Sequence, residues 1–265
     1  MTIQITIIRI EAYGQWTLRL GSDREAALQM LQARIYYDIQ RLFSEVDCLV
    51  YANRYDEYFA ISTGLSVKKH LTIQKELETI YSTLNISMAI GTGETAFDAN
   101  LSAYNSRKQA LALDKSGKIF GRRPPRMLTR DFRQNNNTRE NEFVRIMHLD
   151  VNNSAEISSN LSPYEVTALV SKIFLGLSQE FLKRGAMTFF IGGDNFMVIS
   201  NGTSKREAAK IIQKVTDEIE VLLNCGIGIA RTGRKAAEAA TMALDIIRAH
   251  RSARKSRRLY EIKLI

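Results

Sequence analysis

Residues 189–202 read FFIGGDNFMVISNG. Apolar residues flank Gly192-Gly193-Asp194-Asn195, and glycines accept the positive φ that a tight hairpin turn demands. The stretch therefore predicts two antiparallel strands, over 187–191 and 196–200. Residues 51–64, YANRYDEYFAISTG, lie over it without a gap at an offset of 138, which aligns Asp56 with Asp194, Ile61 with Ile199 and Gly64 with Gly202. A self-match at this spacing indicates one domain written twice.

Working outward, the helix starts recur in step. Ser22/Glu25 and Ser162/Glu165 each carry the spacing of a capping box, and Pro163 suits a first helical turn. Ser66 pairs with Ser204, where only the latter keeps its glutamate, Glu207, and Thr95 pairs with Thr232 as N-caps. In the second half the spacing predicts a strand over 144–151 and a helix over 163–183 with Val166, Leu169, Val170, Ile173 and Leu177 on one face. After the hairpin follow a helix over 205–222, a strand over 225–230, a helix over 234–250 and a last strand over 259–264. The first half repeats the series from residue 3 to about 120. The order βαββαβ with a trailing αβ defines an α+β fold: two tandem ferredoxin-like domains, each an antiparallel sheet with helices on one face. The expected domains are 1–121 and 143–265. Between them 122–142 holds two of the three prolines and an Asn run, and reads as a basic linker.

The chain has 265 residues and a net charge of +9. Residues 115–139 carry eight basic residues and one acid, and residues 248–263 carry seven and one, so the rest of the chain is net acidic. The surplus belongs to linker and tail, which excludes a global nucleic-acid surface. No apolar run reaches the ~18 residues of a membrane helix, and the alternating start MTIQITIIRIEAYG is no leader; the expected location is the cytoplasm. Cys48 and Cys225 read as reduced core thiols. With them, His70, His148 and His250 form no zinc spacing.

The chemistry concentrates in HLDVNN, residues 148–153, at the end of the second half's first strand. In a βαββαβ sheet the hairpin turn comes beside that strand's exit, so Asp150 and Asp194 approach each other. Paired carboxylates need a cation between them, and hard oxygen donors without His or Cys select Mg²⁺ or Mn²⁺. Asn152 and Asn153 form a small polar turn able to cradle phosphate oxygens, and Gly192 and Gly193 allow close backbone approach. Taken singly, GGDN is a hairpin turn and Asp150 a strand-end cap; at strand ends that meet, they read as a site for metal on a triphosphate.

These motifs resemble the palm domains of GGDEF diguanylate cyclases, adenylyl cyclases and polymerases. More specifically, the tandem halves, FFIGGDNFM with SNG, EAYG-x-W at the start and GIGIARTxxxA near the end resemble the archaeal GTP cyclohydrolase III family over nearly the whole chain. The resemblance implies Mg²⁺-dependent conversion of GTP to the formylaminopyrimidine nucleotide monophosphate, with two phosphates released. It also implies two or more Mg²⁺ ions, activation by K⁺, a homo-oligomer, and a place at the entry to flavin and deazaflavin synthesis. Carried over by position, Asp150 and Asp194 are the metal carboxylates and the Val151 carbonyl a further ligand, while Asn152, Asn153, Gly192, Gly193 and Asn195 line the phosphates. In the first half Glu11 lies over Asp150 and Asp56 over Asp194, but Arg54 and Tyr55 replace the glycines. That half reads as a structural and oligomeric partner shaping the guanine pocket, with Glu11 and Asp56 as an alternative second metal site. His148 reads as a packed histidine with general base as the alternative, Arg231 as a helix-start residue with phosphate pairing as the alternative, and Tyr13 and Trp16 as packing residues near the strand exit. A nucleotidyl cyclase shares the fold, but GGDEF carries an acid where this chain has Asn195. A non-catalytic nucleotide-binding module is the third reading.

Overall fold

The central strands of both halves are buried almost end to end, on alternate residues pointing to opposite faces. Such strands need cover on both sides. The computed structural model describes residues 2–116, 127–129, 142–251 and 258–264. The first half runs β1 (Ile3–Ile10), α1 (Tyr13–Leu18), α2 (Glu25–Ser44), β2 (Leu49–Arg54), β3 (Glu57–Ile61), α3 (Val67–Ile80), β4 (Ile86–Gly93), α4 (Ala96–Ser116) and β5 (Met127–Thr129). The second runs β6 (Val144–Val151), α5 (Ser154–Asn160), α6 (Pro163–Leu182), β7 (Met187–Gly192), β8 (Asn195–Ile199), α7 (Lys205–Ile219), β9 (Leu223–Ala230), α8 (Gly233–Arg251) and β10 (Leu259–Leu264). The chain divides into two compact units, one of Ile3–Gly93 and Asp98–Glu140, the other of Asn141–Ile265 with Met1–Thr2 and Glu94–Phe97.

Each half is the predicted α+β domain, with strand orders β2-β3-β1-β4-β5 and β10-β9-β6-β8-β7. Two features differ from expectation. The sheets are mixed, because β5 runs parallel to β4 and β10 parallel to β9 after their helical crossovers. Helices also cover both faces. In the second half Met147, Leu149, Cys225 and Ile227 join the core made with α6 and α7. The intervening positions of β9, Gly226 and Gly228, face α8 instead, and a Cβ on either would collide with the carbonyl oxygens of Ala240 and Ala236. The bare glycines let the Ala-rich helix lie directly on the strand. Gly91 on β4 does the same for α4, against Ala99 and Ala103.

The caps mostly follow the sequence. Ser162 with Glu165 and Ser204 with Glu207 close full capping boxes, and Ser66 accepts from Lys69 N–H. Thr232 Oγ1 accepts from Lys235 N–H at 3.4 Å. Ser22 does not cap: α2 begins after Arg24, with no side-chain cap bond. The short helix α5 follows the turn expected at Asn152 and Asn153, and the short helix α1 takes the corresponding place in the first half. Within 122–142, β5 adds an edge strand to the first sheet by pairing Met127-Leu128-Thr129 with Met88-Ala89-Ile90; residues 122–126 and 130–141 lie outside the described residues. Cys48 and Cys225 are free and buried as expected, and burial pushes the Cys48 thiol up to about 12. Tyr13 and Trp16 pack half-buried against the first core.

Two outcomes follow from this packing. Gly228→Ala lowers stability by about 2 kcal/mol or more, read from the urea midpoint, because backbone on both sides cannot yield. In the first half His70 is fully buried between Thr6 Oγ1 (2.8 Å) and the Ser66 carbonyl (2.9 Å), and burial lowers its pKa to about 4. The unfolded chain takes up that proton near 6.5, so this contribution is whole above about 6.5 and drains as pH falls toward about 4. Urea midpoints between pH 7 and pH 4.5 should fall less steeply for His70→Gln than for the parent chain.

Candidate active site

The antiparallel register of β6 sets the site. Asp150 lies opposite Asn195 on β8 and opposite Asn224 on β9. Asp194 is therefore one residue beyond the partner of Asp150, and the strand exit and hairpin turn meet as predicted. The turn needs its glycines for conformation: Gly192 has φ +109° and Gly193 φ +61°, values that β-carbon-bearing residues rarely adopt. A bulge between Phe190 and Gly192 precedes it, as one between Ala52 and Arg54 does in the first half.

Asp150 is buried, with a side chain only 6% exposed. Its Oδ1 accepts from Asn224 Nδ2 at 2.7 Å, and its Oδ2 accepts from Arg248 Nε at 2.9 Å and Nη2 at 2.8 Å. Arg248 comes from the last turn of α8 and also reaches Asp245 Oδ1 at 3.1 Å. Burial works to lower the Arg248 pKa, but the bond to and charge of Asp150, seconded by Asp245, hold it above its usual value. A second chain of bonds reaches Asp194. Thr241 Oγ1 lies 3.1 Å from His148 Nδ1, His148 Nε2 lies 3.1 Å from Asn195 Oδ1, and Asn195 Nδ2 donates to Asp194 Oδ1 at 3.0 Å. The acceptor at Asn195 makes Nε2 the protonated nitrogen, so Nδ1 takes the threonine hydroxyl proton. Burial lowers the His148 pKa and favours this neutral form. With both nitrogens committed, His148 is the packed histidine of the two readings.

The other predicted residues divide. Val151 buries its side chain in the core at the strand end. The Asn152 N–H is already bonded to the Leu222 carbonyl at 2.7 Å, so it is not free for a phosphate. Asn153 is exposed, left-handed at φ 56°, and starts α5. Gly192 and Gly193 are exposed at the turn. Asn195, expected to line phosphates, instead links His148 to Asp194. Arg231 lies over the Phe143 ring at 5.3 Å.

The pairing of Glu11 with Asp150 is overturned by the register. Ile5 pairs with Ile61 where Ile146 pairs with Ile199, and Arg9 pairs with Glu57 and Ser87 where Asp150 pairs with Asn195 and Asn224. The first strand is thus offset by 141 residues, and the structural mate of Asp150 is Arg9; Glu11 corresponds to Asn152. Left-handed Ala12 at φ 53° matches Asn153 and confirms the frame. Arg9 lies 3.7 Å from Asp56 and 3.2 Å from Glu57, Arg54 lies 3.3 Å from Asp56, and Arg107 clasps Glu11 at 2.7 Å, with Ser87 Oγ 2.6 Å away. Glu11 and Asp56 of the first half are each met by arginine. Three site residues were missed: Asn224, Thr241 and Arg248. The Gly-x-Gly of β9 followed by an alanine-rich helix was the available signal that α8 lies on this face.

A duplicated ferredoxin-like α+β domain with acids at the first strand's end and at the hairpin turn is a protein of two tandem palm-like halves. The family described as GTP cyclohydrolase III matches residues 3–259. The GTP cyclohydrolase III of Methanothermobacter thermautotrophicus is 36% identical over 93% of this chain and 94% of its own, and that of Methanobrevibacter smithii is 35% identical over 94% of each. Among solved structures, the GGDEF domain of DgcB from Caulobacter crescentus aligns with 45% of this chain and 77% of its own, at 10% identity and a TM-score of 0.36. The chain belongs to the GTP cyclohydrolase III family.

The buried carboxylate depends on its neighbours. Asn224→Ala removes one of its two partners and should cost about 1–3 kcal/mol, read as a lower urea midpoint; an unchanged midpoint would show that Arg248 alone satisfies Asp150.

Proposed function

We propose that this chain hydrolyses GTP to the formylaminopyrimidine nucleotide monophosphate and two phosphates, with Asp150 and Asp194 holding Mg²⁺ against the triphosphate. Family membership over nearly the full length is the observation that carries the reaction. The donor chemistry fits the ion: Asp150 ends β6 opposite Asn195, Asp194 stands next to Asn195 on the turn, and both offer hard carboxylate oxygens. Mg²⁺ fits such a site because it keeps waters and substrate oxygens in its shell, with the Val151 carbonyl as a further protein ligand. When bound, the metal supplies charge neutralisation at the phosphates and a polarised water. Asn195 fixes the direction of the Asp194 carboxylate, and the open turn at Gly192 and Gly193 leaves room for a nucleotide phosphate.

The same reading includes more than one Mg²⁺ ion, K⁺ as activator, assembly as a homo-oligomer and a role at the entry to flavin and deazaflavin synthesis, which the family resemblance supports. It also includes no nucleic-acid partner and a cytoplasmic location, for which the charge distribution and the lack of a long apolar run in the sequence speak. No described helix is long and apolar enough to cross a membrane.

Incubation with GTP and Mg²⁺ tests the proposal through ultraviolet absorbance and phosphate release. Loss of the guanine imidazole band with two phosphates per GTP is expected, whereas pyrophosphate with a cyclic product would make the protein a nucleotidyl cyclase. Asp150→Asn and Asp194→Asn should each lower kcat by about 100-fold or more; full activity in both variants would overturn the assignment of the site.

A further inference from the structure

We propose that Arg248 is a resident cation at Asp150 which a divalent ion must displace, so that Arg248 sets the ion concentration at which the site loads. The inference rests on the reading of Asp150 as a metal carboxylate and concerns how that carboxylate is kept before the metal arrives.

The geometry leaves little room for two cations. Arg248 Nε and Nη2 converge on Asp150 Oδ2, and Asn224 occupies one side of Oδ1. A divalent ion bonded to either oxygen would sit about 2 Å from it, within close range of a guanidinium whose charge repels it. Relief must come from the arginine. Asn224 is 1% exposed and fixed in β9, whereas the Arg248 side chain is 42% exposed at the end of α8. Arg248 also has somewhere to go. Its Nη1 already touches Asp245, three residues back on the same helix and 62% exposed, and the C-terminal end of a helix favours a cation. Release from Asp150 therefore leaves the guanidinium partnered.

The first half shows the fixed version of the same arrangement. Its mate of Asp150 is Arg9, a cation built into β1 and paired with Glu57 and Asp56. That sheet carries its positive charge permanently at this strand position. The second sheet carries a carboxylate there and takes the charge from a helix, from which it can be exchanged.

The test is Mn²⁺ binding to the intact protein without nucleotide, followed by the electron paramagnetic resonance of free Mn²⁺ and by the rise in Tm on adding Mn²⁺. Arg248→Gln should tighten Mn²⁺ binding by about 5- to 150-fold, the usual size of coupling between two binding events. It should also melt lower than the parent without metal and gain more Tm with it. Arg248→Lys keeps the charge with fewer donors and should fall between the two; it serves if the glutamine variant does not fold. Unchanged or weaker Mn²⁺ binding in Arg248→Gln, with binding lost in Asp150→Asn, would overturn the exchange and leave the metal assignment standing. Mn²⁺ binding unaltered by Asp150→Asn would remove the metal assignment itself, and the exchange with it.

Discussion

The contact between the bare glycines of β9 and the backbone of α8 is the constraint on which both fold and site depend. Gly226 and Gly228 allow a helix to lie on the second face of a sheet whose first face is already filled by α6 and α7. At ordinary helix-to-sheet spacing, Thr241 would stand away from His148 and Arg248 away from Asp150. Close approach delivers both, so a packing requirement far from the hairpin turn determines how the two acids are held. The capping boxes of α6 and α7 act on the other face and fix only the core.

The hairpin and most strand bounds were readable from residues. The β6 and β10 limits match the alternation of apolar residues, and the GGDN turn declares itself because two consecutive positive φ angles need glycine. The frame of the first strand was not readable, and the cause is local. Residues 19–24 join α1 to α2, while only 161 and 162 join α5 to α6; α5 is one residue longer than α1, so the first half carries three extra residues before its hairpin. The ungapped offset at the hairpin runs three residues out of frame at β1, and setting Glu11 over Asp150 left an error of two, at the place where Arg9 stands. Pairing partners across the sheet settle such a frame, and a linear match cannot.

Arg248 was hidden for a different reason. In sequence it opens a basic run that reads as solvated tail, since charge density alone does not say which member of the run pairs with a buried acid. Its neighbours in the run give no hint. Only the helix phase, counted from the alanines that touch β9, turns Arg248 toward the strand end. Asn195 shows the converse: its place in the motif suggested contact with substrate, while its amide is engaged on both sides within the protein, by His148 and Asp194.

The ion pair between Asp150 and Arg248 bears on how the protein is made. Small metal domains such as zinc fingers need their ion before they can fold, because their ligands have no other partner. Here the polypeptide supplies the counter-charge to its own buried acid. A newly synthesised chain can therefore complete the second sheet whatever the supply of divalent cations, and with the proposed metal at Asp150, folding would come first and loading afterwards.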